Sequence, residues 1–235
     1  EELRRVLDTD TDQLEIHYQP IVSTVDGALV GLESLLRWRH PELGSISPTE
    51  FIPLAEGSNL IDRVGNYVLE TAAAEVAAVA ELRRVMLCVN VSRRELTNGQ
   101  FPDRLRDTIT RSGMDPAAFC LEITESALDP LDGDLLTLLR NVRELGTHVS
   151  LDDFGTGASS LSEFYRLPVS VLKTAKSFVD ALDEHPSATS ILAGIVTMAH
   201  AAGMRVVAEG VETESQAATV AEVGCDLAQG YHFGR

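Results

Sequence analysis

Oxygen-bearing side chains recur on one face of several short apolar segments of the chain. Asn90 ends the segment MLCVN, Glu122 lies within CLEIT, and Asp152 and Asp153 end VSLDD. Neighbouring residues of a strand point to opposite faces, so the aliphatic residues between these positions lie on the other side. Four further residues take the equivalent position in their own segments: Glu33, Lys173, Glu209 and Gln229. The pattern predicts a cluster of carboxylates and amides around one lysine.

Carboxylates gathered in this way, with only Lys173 and one arginine nearby, would repel one another strongly. Divalent cations are the natural compensation, and oxygen ligands without His or Cys favour a hard ion such as Mg²⁺ or Mn²⁺. The number of carboxylates predicts two ions, with Asp152 between them and Asp153 turned to the second. Gly155 and Gly157 would let the backbone leave the strand sharply. An isolated Asp-Asp pair is more often a turn or a cap, so the prediction depends on the joint pattern.

The elements that must position these side chains are predicted by eight segments rich in Val, Ile and Leu, with helical spacing between them. They span residues 16–22, 30–38, 86–92, 120–125, 149–154, 170–175, 205–211 and 227–231. Capping boxes at 47–50 and 213–216 begin two helices, and Gly146, Gly203 and Gly224 are expected to end three others. This order predicts an α/β chain forming one domain, a (β/α)8 TIM-like barrel, with an open doubly wound sheet as the alternative. In a barrel the polar strand ends meet at the C-terminal mouth.

The composition excludes several classes of function. The chain has 235 residues, 44% of them hydrophobic, and a net charge of -17, which disfavours binding to a nucleic-acid polymer. Its apolar runs are too short to cross a bilayer, so we expect no membrane contact from this chain. Three cysteines without a CxxC pair, and histidines without ligand spacing, disfavour a disulfide framework or a zinc site and favour a reducing cytoplasm. Because the sequence begins at Glu1 without Met, we expect a fragment of a longer protein.

At these residues the sequence resembles the EAL-domain family of cyclic di-GMP phosphodiesterases, and the similarity runs nearly end to end. The motifs that carry it are QPIV (19–22), ESLLRW (33–38), FIPLAE (51–56), VNVS (89–92), LEITES (121–126), DDFGTG (152–157), AEGVET (208–213) and AQGY (228–231). The resemblance implies a bacterial second-messenger enzyme with a TIM-like barrel. It also implies hydrolysis of cyclic di-GMP to linear pGpG by a water that two Mg²⁺ or Mn²⁺ ions activate.

The resemblance implies a role for each matching residue. One metal ion would be held by Glu33, Asn90, Glu122 and Asp152. The second would be held by Asp152 and Asp153, with Glu209 acting through that ion or its water, while Lys173 would orient or deprotonate the attacking water. The ligand site would include Gln19, Leu36, Arg37, Glu212, Gln229 and Tyr231, with Gln229 holding water there. Glu125 matches a residue that braces the loop after DDFGTG. Family members often form homodimers and carry an upstream cyclase or sensory domain, so the resemblance is compatible with both here, and the sequence does not decide the oligomeric state.

Three motifs depart from the family pattern. The usual LKIDRSF reads LKTAKSF, so Ala175 replaces a carboxylate, the usual DDFGTGYSS has Ala158 in place of Tyr, and Ser34 replaces the alanine of the name motif. Ala175 and Ala158 predict a slower enzyme, and they leave open a degenerate domain that binds cyclic di-GMP without hydrolysing it. A third interpretation is a Schiff-base aldolase that uses Lys173. It is disfavoured because nearby carboxylates would raise the pKa of that lysine.

Overall fold

A closed barrel of eight strands surrounded by helices is seen in the computed structural model, which describes residues 1–128, 131–157 and 166–234. The strands are β1 (Leu14–Ser23), β2 (Leu29–His40), β3 (Gly44–Ile46), β4 (Met86–Asn90), β5 (Phe119–Thr124), β6 (His148–Phe154), β7 (Val171–Thr174), β8 (Arg205–Ala208) and β9 (Leu227–Gln229). The short β3 pairs only with β2 and lies outside the ring. The predicted barrel is therefore confirmed, and each predicted segment contains a strand.

Helices connect the strands on the outside of the barrel. They are α1 (Glu2–Thr9), α2 (Pro48–Gly57), α3 (Ile61–Ala78), α4 (Arg93–Thr97), α5 (Phe101–Ser112), α6 (Gly133–Glu144), α7 (Lys176–Asp180), α8 (Ala188–Ala201) and α9 (Glu214–Glu222). Short 3-10 turns span Thr11–Gln13, Ala80–Leu82, Pro116–Ala118, Glu125–Leu128 and Ala181–Asp183. Within the described ranges, none of the helices is long and apolar enough to span a membrane.

The first strand differs from a regular alternation of strands and helices. β1 pairs antiparallel with both of its neighbours, β2 and β9, whereas β2 and β4–β9 form parallel pairs around the rest of the ring. The predicted segments 16–22 and 30–38 are separated by only a few residues, and a parallel connection needs a crossover of a dozen or more. A hairpin is the connection that fits, and Gly27 turns it with a φ of 70°.

The predicted alternation of inward and outward side chains holds through the parallel strands. Cys88 and Cys120 are register partners and pack with Ile21, Met86, Val171, Val207 and Leu227 in a small cluster inside the barrel. The intervening residues of β4–β6, among them Val89, Leu121 and Val149, belong to the large core between the strands and the helices. Burial of apolar surface on both sides of the ring fixes which residues face inward. The polar residues that follow Cys88 and Cys120 by two positions therefore point into the barrel mouth.

Helix boundaries follow the predicted signals. Complete capping boxes begin α2 at Ser47 and α9 at Thr213, and a third, formed by Ser92 and Glu95, begins α4. The three glycines predicted to end helices all have a positive φ, namely Gly146 after α6, Gly203 after α8 and Gly224 after α9. Such residues accept the left-handed conformation that lets the chain turn into the next strand.

Substitution by alanine at two helix-interior glycines should change the free energy of unfolding in opposite directions. A Cβ at Gly65 in α3 would overlap Oε1 of the buried Glu95, whereas a Cβ at Gly194 in α8 would meet nothing within 4 Å. We expect Gly65→Ala to lower the free energy of unfolding by about 1–3 kcal/mol through overpacking. Gly194→Ala should raise it by about 0.4–1 kcal/mol. Urea unfolding of both variants measures this, and equal effects would contradict the packing of Glu95 on α3.

Candidate active site

A single buried lysine lies at the centre of the barrel mouth. Lys173 projects from β7 towards carboxylates of β2, β5, β6 and the segment after β8, and only 1% of its side chain is exposed. Its Nζ atom lies 2.7 Å from Glu209 Oε1, 2.9 Å from Glu122 Oε1, 3.2 Å from Glu33 Oε2 and 3.4 Å from Asp152 Oδ1. The structure thus brings these residues together as the strand pattern predicts.

The mouth contains more negative charge than this lysine can neutralise. An ammonium group has three N–H donors, and four carboxylates surround this one. Glu33 is the best satisfied, because Asn90 donates to its Oε1 at 3.0 Å and Gln229 donates to its Oε2. In contrast, among the described residues Glu122 Oε2 has no hydrogen-bond partner, and Glu122 Oε1 and Asp152 Oδ1 are contacted only by the Lys173 ammonium. These oxygens have capacity for a further cation.

The pKa values of the cluster reflect this imbalance. Burial alone would lower the pKa of Lys173, but the surrounding carboxylates, with Glu122 first, raise it well above its ordinary value. Burial and the charge of Glu33 raise the pKa of Glu122 well above its ordinary value, despite the attraction of Lys173. Burial raises the pKa of Glu209 to about 7. For Glu33, burial is outweighed by Lys173 and by hydrogen bonds from Gln229 and Asn90, so its pKa is lowered.

The end of β6 turns a second carboxylate towards the mouth. Asp153 has a φ of 53°, which is uncommon for a residue with a side chain. Carboxylate oxygens of Asp152, Asp153 and Glu209 lie within 4.8 Å of one another. Burial and the neighbouring Asp152 raise the pKa of Asp153. Three convergent carboxylates form a donor set of the kind that a hard divalent cation prefers.

The glycines after β6 permit two close approaches. Gly155 has a φ of 98°, and a Cβ there would collide with the ring of Phe178. Glu125 accepts hydrogen bonds from the backbone N–H groups of Gly155 at 2.8 Å and Gly157 at 3.2 Å. A Cβ at Gly157 would lie 2.9 Å from the Glu125 carboxyl group. This carboxylate therefore holds the described start of the loop against the 3-10 turn after β5.

Two cavities flank Glu33. The larger, of about 730 Å³, is mostly apolar and is lined by Leu36 and Arg37 together with residues of α2 and α3. The smaller, of about 300 Å³, contains the remaining predicted ligand contacts, which are Gln19, Glu212, Gln229 and Tyr231. Gln229 also donates a hydrogen bond to Gln19 Oε1 at 2.9 Å. The predicted ligand residues are thus divided between two spaces that meet at the carboxylate cluster.

Sequence reasoning did not assign Lys176, which lines the smaller cavity. Its Nζ atom lies 2.8 Å from Glu212 Oε1 and 2.8 Å from Asp180 Oδ1. The stem of Lys176 packs so closely on Gly210, which has a φ of 72°, that a Cβ there would collide with it. The signal that could have found Lys176 is its place three residues after Lys173, where the chain leaves β7 at the mouth.

The departures from the family motifs have different structural settings. Ser34 is buried and donates a hydrogen bond to the Cys88 carbonyl at 2.9 Å, so the hydroxyl group is satisfied. Ala175 is buried at the N-cap of α7 and offers no side-chain hydrogen bond to the helix. Ala158 lies outside the described residues.

The family comparison agrees with this site. The model of the EAL domain family matches residues 1–235. The chain belongs to the EAL domain family. This EAL domain is 40% identical over 237 residues to the cyclic di-GMP phosphodiesterase NbdA of Pseudomonas aeruginosa, covering 100% of the chain and 30% of NbdA. It is 36% identical over 237 residues to MucR of the same organism, a bifunctional diguanylate cyclase and cyclic di-GMP phosphodiesterase, covering 100% of the chain and 34% of MucR.

Solved structures of other EAL proteins are closely similar. The PaMucR phosphodiesterase in complex with c-di-GMP superposes with a TM-score of 0.92 at 36% identity, covering 100% of this chain and 95% of that one. The EAL enzyme Bd1971, bound to cAMP and cyclic di-GMP, gives a TM-score of 0.92 at 29% identity, covering 100% of this chain and 65% of that one. The EAL domain spans about a third of the length of the curated relatives it matches, from 27% to 34% for the first four.

The raised pKa of Glu209 predicts a pH dependence of stability in metal-free protein. The folded state binds this proton more tightly than the unfolded state, so its contribution to stability is lost as pH rises from about 4.5 towards about 7. We expect Glu209→Gln to reduce that loss, by up to about 1.4 kcal/mol per pH unit. Urea unfolding in chelator across pH 5–8 measures the slope.

Wild-type protein in saturating Mn²⁺ provides the control for this experiment. A bound cation stabilises the ionised carboxylate, so stability should then increase with pH over the same range. An identical slope for metal-free wild type and Glu209→Gln would contradict the assignment of this proton to Glu209.

Proposed function

We propose that this EAL domain hydrolyses one phosphodiester bond of cyclic di-GMP to give linear pGpG, with the help of two divalent cations. The observation that carries the proposal is the excess of buried carboxylates around Lys173, beside the convergent oxygens of Asp152, Asp153 and Glu209. Membership of the EAL family supports the substrate, since NbdA is a cyclic di-GMP phosphodiesterase and the PaMucR structure contains c-di-GMP.

The donor chemistry fits Mg²⁺ or Mn²⁺. The proposed ligands of the first ion are Glu33, Asn90, Glu122 and Asp152. The proposed ligands of the second ion are Asp152, Asp153 and Glu209. All of them offer carboxylate or amide oxygens, and Glu122 Oε2 makes no hydrogen bond with a described residue that a cation would have to displace. When bound, such ions polarise phosphoryl oxygens and lower the pKa of an attacking water.

The protein side chains supply the remaining chemistry. We assign to Lys173 the orientation of the attacking water and the stabilisation of negative charge that develops on the phosphoryl oxygens. Its ammonium group is fixed by ion pairs on several sides, so little reorganisation is needed during the reaction. Glu209 contacts Lys173 at 2.7 Å and belongs to the convergent carboxylates, which suits it to hold the same water and accept its proton.

The two cavities suit a ligand with two purine halves joined by phosphates. We propose that one guanosine enters the larger cavity beside Leu36 and Arg37, and that the other enters the smaller cavity beside Gln19, Glu212 and Tyr231. Tyr231 is 59% exposed, and an aromatic face at such a rim can stack on a base. The scissile phosphate would then lie at Glu33, where the cavities meet.

Binding of cyclic di-GMP without hydrolysis is the second candidate function. The alanine at position 175 favours it. This residue lies two positions after Lys173 and leaves the N-terminus of α7 without a side-chain cap. The aldolase alternative finds no support, because a lysine in contact with four carboxylates is held in the charged form and is a poor nucleophile.

The cellular setting and the partners of the domain are proposed on separate grounds. Three buried, free cysteines support the reducing cytoplasm expected from the sequence. MucR combines a cyclase with a phosphodiesterase, which supports the proposal of an upstream cyclase or sensory domain in the full protein. The homodimer suggested by the family resemblance is likewise a proposal.

Turnover tests the function directly. Incubation of the domain with cyclic di-GMP and Mn²⁺ or Mg²⁺ should give pGpG, separated by chromatography, while Ca²⁺ should not support the reaction because its longer coordination would spread the two-ion site. Glu33→Ala should abolish product formation, because Glu33 is a proposed metal ligand that also contacts Lys173. Tight binding without product in either metal would leave the receptor function, and undiminished turnover after exhaustive chelation would exclude the metal mechanism.

Restoring the family carboxylate beside the lysine should accelerate the enzyme. Ala175→Asp would cap α7 and add a charge on the side of the mouth that carries Lys173, and we expect about tenfold higher kcat from this support of the active site. Ala175→Asn is the matched control, since it caps the helix without adding charge. If both variants gain equally, the cap is responsible, and if neither gains, Ala175 does not limit the rate.

A further inference from the structure

Basic side chains gather at the opposite end of the barrel from the carboxylates. His148 is the first residue of β6, Arg205 is the first residue of β8, and Ser170 directly precedes β7. Arg143 lies in the last turn of α6, which leads into β6. Because β6, β7 and β8 are parallel neighbours, their N-terminal ends meet at one place. We call Arg143, His148, Ser170 and Arg205 the basal cluster.

Several N–H donors of the basal cluster lack a strong hydrogen-bond acceptor within the described parts of the chain. Arg143 Nη1 is shielded from solvent and has no hydrogen-bond partner. The Arg205 guanidinium donates only to the Met86 sulfur at 3.9 Å, and a thioether is a weak acceptor. His148 uses Nδ1 in a hydrogen bond of 3.0 Å with the Ser170 hydroxyl. Neither arginine forms an ion pair with a described carboxylate, unlike Arg63, which lies 2.7 Å from Asp8.

Uncompensated positive charge is unusual in a chain with a net charge of -17. Its effect is visible at His148, where burial lowers the pKa and the charges of Arg205 and Arg143 lower it further. The neighbouring Asp226 forms no ion pair with Arg143 or Arg205 in the described structure, and its Oδ2 is engaged by His200 at 2.8 Å and by the Val206 N–H at 2.7 Å. The base of the barrel therefore presents cationic donors without an anion to receive them.

We propose that the basal cluster binds a small phosphate-type oxyanion. Two guanidinium groups offer planar pairs of N–H donors that match tetrahedral oxyanions, and His148 can add a donor from its Nε2. An anionic membrane is a poor occupant, because the negative charge of the whole domain opposes its approach. The site lies at the base of the barrel, so it does not depend on the function proposed for the mouth.

Sulfate is the first probe, because it stays a dianion throughout the pH range in which histidine titrates. We expect sulfate to shift the imidazole NMR signals of His148, assigned with His148→Gln, in a saturable manner. It should also raise the His148 pKa, since a bound anion offsets the two arginines. Inorganic phosphate should behave similarly, while chloride at the same ionic strength should not.

Variants identify the donors. Arg143→Gln and Arg205→Gln should each weaken sulfate binding about tenfold or more, as expected for a lost charge-assisted hydrogen bond. Arg63→Gln changes the net charge equally but lies at the start of α3, and should leave the affinity unchanged. An equal response to chloride and sulfate, or equal weakening by Arg63→Gln, would overturn the site. Cosedimentation with phosphatidylglycerol vesicles should show no binding, and vesicle binding that Arg205→Gln abolishes would overturn the assignment to a free ion.

Discussion

Repulsion between carboxylates is the constraint on which the barrel mouth depends. Strands β2, β5 and β6 and the segment after β8 contribute carboxylates to a buried space, and one ammonium group lies among them. Desolvated like charges are tolerated only when cations or protons compensate them. The folded domain without metal meets this condition partly by retaining protons, as the raised pKa values of Glu122 and Glu209 indicate. Binding of the proposed cations would therefore release protons from this site.

The same constraint explains why the rest of the mouth is so strongly braced. Glu33 is held by Asn90, Lys173 and Gln229, and Gln229 is in turn paired with Gln19. Carboxylates that repel one another can keep a defined geometry only if such neighbours fix their rotamers. Glu125 fixes the backbone that follows Asp153, because it accepts hydrogen bonds from the N–H groups of Gly155 and Gly157. The bracing is made of polar contacts on strands and at their ends, where positions are more rigid than on long loops.

Much of this arrangement could be predicted from the sequence, because period-two alternation decides both the strands and their inward faces. The positions of Glu122, Asp152 and Lys173 followed from that rule and from the common mouth of parallel strands. The antiparallel direction of β1 follows from its short connection to β2. The expectation of eight regular strand-helix units did not include this reversed strand. The left-handed backbone at Asp153 and the ion pairs of Lys176 depend on neighbours distant in sequence, which no local pattern reports. The division of the ligand residues between two cavities depends in the same way on helix packing.

The reversed direction of β1 has a mechanical consequence for the domain. Leu14, at the start of β1, is the register partner of Trp38 near the end of β2, so the chain enters the barrel on the side of the mouth rather than at the base. A few residues further along the same ladder, Gln19 is the register partner of Glu33. A displacement of α1 would therefore pass through the short 3-10 turn Thr11–Gln13 and along one strand to a carboxylate at the centre of the site. Tension or torque applied at the N-terminal helix would act on the mouth of the barrel through β1.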